Sequence, residues 1–133
     1  MGSVSSMNLA IKSSPDKGPG PAGASAAAAL GLSTQLPALT EVAVVGRPPT
    51  GVPNVRFRER SNIRRVSAGL SPKDIAVLEI ARDRFKYVET TLAETRKAIA
   101  SLVKAGEVAP DRIRFAAIGE PRAAARAVEE LFA

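Results

Sequence analysis

The chain has 133 residues, enough for one small domain, but with no Trp, one Tyr and four Phe it has few of the large side chains that dominate core burial. It contains neither cysteine nor histidine, which excludes a disulfide framework, a thiol nucleophile, a thiolate metal site and the usual general base and metal ligand. The net charge of +6 is lopsided: through Val66 eight Lys and Arg face three acids, and from Ser67 onward eleven face ten.

Residues 1–38 are rich in Ser, Gly, Pro and Ala, centred on SSPDKGPGPAGASAAAALG, with no run of large apolar residues. Such a composition cannot offset its ordering entropy, so a disordered arm is expected here. The opening MGSVSS fits the loose myristoylation pattern, with Gly2 and Ser6 in place; a vector-derived leader ahead of Met7 accounts for the same residues. No stretch approaches the roughly 20 apolar residues needed to cross a bilayer.

Residues 39–70 read as an extended, basic linker. Glu41–Val45 is β-prone and stopped by Gly46 and Arg47-Pro48-Pro49. Val55–Arg60 alternates, placing Val55 and Phe57 on one face and Arg56, Arg58 and Arg60 on the other. The tract RFRERSNIRR, Arg56 to Arg65, holds five arginines and one glutamate around one aromatic. Arginines with a stacking side chain suit a phosphate backbone, and they equally suit an acidic protein surface, so Arg56, Phe57, Arg58, Arg60, Arg64 and Arg65 form a candidate partner- or phosphate-binding arm. Arg64-Arg65-Val66-Ser67 also has the form of a basophilic kinase site, a four-residue match of a kind that arises by chance.

Residues 71–133 read as a helical module. Ser71 is an N-cap, Pro72 occupies the first helical position and Asp74 complements the free amides. Gly106 supplies the stop, with no Pro or Gly between, so the pattern predicts one helix of about 34 residues, roughly 50 Å long. Its apolar spacing is close to heptad, and Leu78, Phe85, Val88, Leu92, Ile99 and Leu102 are the candidate helix interface. Thr91 followed by Glu94 also reads as a capping box that would split the element into two antiparallel helices; the continuous register favours one. Residues 112–118 fit a short helix or a strand, and Pro121 opens a last helix to about Phe132.

Leu92, Arg96 and Gly106, then Asp-Arg-Ile-Arg at 111–114 and Gly-Glu-Pro at 119–121, resemble the last third of OmpA-like peptidoglycan-binding domains, where a helix leads to a strand and a Gly-Glu turn. The arginine-to-glycine spacing is shorter than in that family and the peptide-binding aspartate loop is absent, so neither its fold nor its function is carried over.

The sequence therefore predicts a mainly α protein: one long heptad-patterned helix and a short C-terminal helix behind a disordered or extended N-terminal half. The expected function is non-catalytic, with no cofactor or metal. Through the long helix and the basic arm it would join a protein partner, or itself, in a soluble intracellular assembly. The alternative is a small regulatory or nucleic-acid-associated protein using Arg56–Arg65.

Overall fold

A computed structural model describes the backbone of residues 2–133 and the side chains of residues 6–133. The myristoylation and leader readings of MGSVSS rest largely on side chains outside that range. In chain order the elements are α1 (Gly2–Lys12), β1 (Gly20–Pro21), α2 (Gly23–Ala29), β2 (Thr40–Val45), β3 (Val55–Arg60), α3 (Arg64–Ser67), α4 (Pro72–Arg82), α5 (Leu92–Lys104), α6 (Pro110–Ala117) and α7 (Arg122–Phe132).

The sheet has the order β1-β2-β3, with β1 antiparallel and β3 parallel to the central β2. Alternation along the strands gives the sheet two dissimilar faces. Val42 and Val44 of β2 pack with Val55 and Phe57 of β3 and with Met7 and Ala10 of α1. Ala43 joins the main core on the opposite side, the side to which Arg58 and Arg60 direct their guanidinium groups.

Helix α4 is the centre of the molecule. Every residue from Asp74 to Ala81 is buried, because α2, β1, α6 and α7 all pack on it. A helix apolar on nearly all sides is stable only when enclosed in this way. Ser71 and Asp74 form the predicted capping box, and Asp74 Oδ1 also accepts the Ala109 amide at 2.9 Å, tying the start of α6 to the start of α4.

The single long helix is not formed. α4 ends at Arg82, where Phe85 N–H donates to Ile80 and Arg84 N–H to Ala81 with Arg84 at φ +55°, the bonding of a Schellman cap. α5 starts at Leu92 behind the Thr91–Glu94 capping box, so the split marked by that box is the one the chain adopts. Heptad register persists across Asp83–Thr91 only as a pattern of letters. The coiled-coil expectation falls with it.

The disordered N-terminal half is also overturned: α1, β1 and α2 are ordered parts of the fold. Ala22, Ala26 and Ala27 are fully buried in the main core, and Leu30 and Leu32 are nearly so. Small side chains let α2 approach α4 closely, and the dispersion contacts of many close atoms replace the large anchors missing from the sequence. Residues 112–118 are helical, within α6 and its C-terminal cap, and not the strand of the OmpA-like pattern. No helix among the described residues is long and apolar enough to cross a membrane.

Candidate functional site: an arginine–glutamate network beside an open cleft

The basic tract is not one continuous arm. Arg56 is exposed, and Phe57 is half-buried beneath α1. Arg58 forks onto Glu41 Oε1 through Nε at 3.0 Å and Nη2 at 2.6 Å, and that hydrogen bond holds the guanidinium pKa above its ordinary value. Arg64 stacks over the Phe115 ring, 4.6 Å from its centroid. Arg60 and Arg65 turn inward and meet carboxylates from α4 and from the turn before α7.

Glu79 is the one charge within the buried run of α4 after Asp74, and it lies fully inside. Arg60 donates to it twice, Nη2 to Oε1 at 2.8 Å and Nε to Oε2 at 3.0 Å. Arg65 Nη1 lies 2.7 Å from Glu79 Oε2 without an aligned N–H, so this contact is a charge pair rather than a formed hydrogen bond. Glu120 receives Arg65 through Nε at 2.8 Å and Nη2 at 3.0 Å, and Asn62 Nδ2 at 2.6 Å. Arg82 adds one contact to Glu120 Oε1 at 3.3 Å.

Burial alone pushes both carboxyls up and the Arg65 guanidinium down, but the partners win. Hydrogen bonds from Arg60 and the charges of Arg65 and Arg60 hold Glu79 below the ordinary carboxylate range. Arg65, Asn62 and Arg82 do the same for Glu120. Against its burial, Glu120 and Glu79 raise Arg65. The network contains Arg60, Arg65 and Arg82 against Glu79 and Glu120, so it carries one surplus positive charge.

An open cleft of about 660 Å³ lies against the network. Val45 and Arg60, the last residues of the parallel strands β2 and β3, line it, as do Ser61, Asn62 and Arg82. It therefore sits at the carboxyl ends of the strands, where α/β sheets commonly receive ligands. Gly119 and Glu120 close the far side, and a Cβ on Gly119 would overlap the Asn62 carboxamide. Asn62 Nδ2 also donates to Ala116 O at 2.7 Å, joining α3 to α6. Around that junction Ile63, Phe115 and Ile118 are 64%, 46% and 68% exposed.

The six residues of the heptad stripe serve the chain's own interior unequally. Leu78 and Ile99 are fully buried, and Phe85, Val88 and Leu102 pack half-buried on the same core. Leu92, at the first position of α5, is 42% exposed. Glu120, Asn62 and Glu41 are site residues that the sequence pattern did not single out; Glu79 and Arg82 have the i,i+3 spacing of an outer-surface ion pair, but Glu79 is fully buried against Arg60 and Arg65 and Arg82 meets Glu120 instead. A lone glutamate inside Ile75–Ala81 was a legible signal, because an apolar helix tolerates a buried carboxylate only with a cation beside it. Glu120 carried no such signal.

Comparison with protein-family models, with curated proteins and with solved structures gave no match.

Proposed function

We propose that the protein is a non-catalytic, intracellular interaction subunit that binds a protein partner on the face built by Ile63, Arg64, Phe115 and Ile118. The observation that carries this is the gathering of three exposed large apolar side chains around the α3–α6 junction, beside Arg64. Grouped apolar exposure marks interaction surfaces, where scattered exposure does not. Glu79 and Glu120 support a non-catalytic role: their arginines hold both below the ordinary carboxylate range, away from the neutral range in which a general acid works.

A different protein fits this face better than a second copy. In a two-fold dimer each copy would bring an Arg64 to the interface, and the four residues of the patch include no acid to pair with either. A phosphate-binding tract has less support, since Arg58, Arg60 and Arg65 are neutralised by Glu41, Glu79 and Glu120.

The test is capture of partners from the source cells, followed by affinity measurement with the purified partner. Ile63→Asp, Phe115→Asp and Ile118→Asp combined should weaken binding by at least about tenfold, whereas Leu92→Asp should not. Failure of the wild-type chain to retain a partner, or binding indifferent to the triple variant, would overturn the proposal.

A further inference from the structure

We infer that the pocket between α5, α6 and α7 is a binding site for a small amphiphilic carboxylate, an apolar body carrying one anionic head. The inference goes beyond the interaction reading above and does not rest on it. The pocket encloses about 460 Å³, within the range of roughly 300–1,000 Å³ common to small-molecule sites.

Its lining has two characters. Ala100 and Val103 of α5 and Leu131 and Phe132 of α7 supply apolar walls. Arg96 lies four residues before Ala100 and seven before Val103, so one face of α5 carries both a cation and apolar wall. With Arg96, Lys97 and Arg114, three cations line the pocket, and no acid does.

These cations are not spent on neighbouring acids. Among the described residues Arg96 and Lys97 form no ion pair. Arg114 Nε stands 3.6 Å from Glu129 Oε2, too far for a hydrogen bond, with the two side chains 41% and 65% exposed. Arg96 and Arg114 each donate through Nη2, to Ala133 O at 2.7 Å and to Phe132 O at 3.2 Å. These bonds hold both guanidinium groups across the end of α7 and leave their formal charge in place.

The charge balance selects the ligand. Setting Glu129, and also a carboxylate at Ala133, against the three cations still leaves one positive charge, which one carboxylate neutralises. A polyanion would exceed that balance and leave the apolar walls uncovered. A neutral apolar molecule would cover the walls and leave the cations without a counter-charge.

Titration of the full chain with decanoate, decanamide and acetate, followed by amide NMR, tests this. Decanoate should bind saturably, shift the amides of Ala100, Val103 and Phe132, and bind at least about fivefold more tightly than decanamide, while acetate should not bind. Arg96→Gln combined with Lys97→Gln should abolish that preference and leave decanamide affinity as it was. Ala100→Leu, at an exposed position where a helix accepts leucine, should fill the pocket and weaken both long-chain probes. Thermal midpoints of the variants separate loss of binding from loss of the fold. Equal affinity for decanoate and decanamide in the wild-type chain would reduce the cations to a solvated rim and overturn the inference. Absence of shifts at the three named residues, or decanoate binding unchanged in Ala100→Leu, would overturn it as well.

Discussion

Arg65 and Glu120 stand 55 residues apart in the chain and meet through two hydrogen bonds, Nε to Oε2 at 2.8 Å and Nη2 to Oε1 at 3.0 Å. Both side chains are 1% exposed. The pair locks the short helix α3 to the turn that opens α7, and through Glu79 it reaches the central helix α4. It is the long-range closure of the fold around the cleft.

Removing one member should leave the other charged in the interior without its two-bond partner, Arg65 keeping only the Glu79 contact and Glu120 only Asn62 and the long Arg82 contact. Arg65→Ala or Glu120→Ala is expected to destabilise the protein by about 3–5 kcal/mol, a large part of a small domain's stability. Urea unfolding followed by circular dichroism measures this; a loss under 1 kcal/mol would show that the network is solvated.

Acid should act through the same carboxylates. Glu79 and Glu120 have native pKa values below their ordinary 4.5, so their contribution is fully present above that pH and is lost as pH falls through the lower native values. Asp83 has the opposite sign: burial, and then Glu79, raise its pKa, so its ionised form opposes folding above that native value and the penalty disappears in acid. It also stands at the C-terminal cap of α4, where the helix dipole disfavours a negative charge. Asp83→Asn should therefore raise stability at pH 7 by about 0.5 kcal/mol, with the gain vanishing in acid. Thermal midpoints of wild type and variant across this range decide it.

Substitutions along the broken helix distinguish two elements from one. Leu92→Asp, at an exposed position, should change stability by about 0.5 kcal/mol or less, while Ile99→Ala should cost about 2–5 kcal/mol. Thr91→Ala removes the cap of α5 and should cost about 1 kcal/mol. A continuous heptad helix would bury Leu92 as well and make Leu92→Asp cost several kcal/mol.

Amide exchange checks the N-terminal region. Ala26 N–H donates to Ala22, Leu30 to Ala26, Leu32 to Ala27, and Ala22 to Glu41 of β2. Exchange at Ala22, Ala26 and Leu30 should be slow, near that of α4, because opening them requires separating α2 from the core. Exchange at the random-coil rate would contradict the packing of α2 on α4.

Sequence alone determined the features that rest on neighbours along the chain. Ser71, Pro72 and Asp74 open α4, Gly106 closes α5, and the alternation of Val55–Arg60 sorts its side chains onto two faces, because capping bonds, backbone sterics and strand pleat act within a few residues. Gly106 has φ +78°, and glycine adopts that conformation at little cost, so the stop is visible in the letter itself. Arg84 adopts φ +55° in the same kind of cap without glycine's freedom, and Phe85 follows at φ +63°. Tertiary packing must compensate for that conformation, so the end of α4 was hidden within an unbroken apolar register. The order of residues 1–38 was hidden for a related reason: an alanine contributes little by itself, and only an α4 close enough to touch Ala22, Ala26 and Ala27 makes their burial count. The candidate site lay between these cases. Its arginines were legible as a charge tract, but which of them face Glu41, Glu79 and Glu120, and which stay free for a partner, was decided by contacts between residues far apart in the chain.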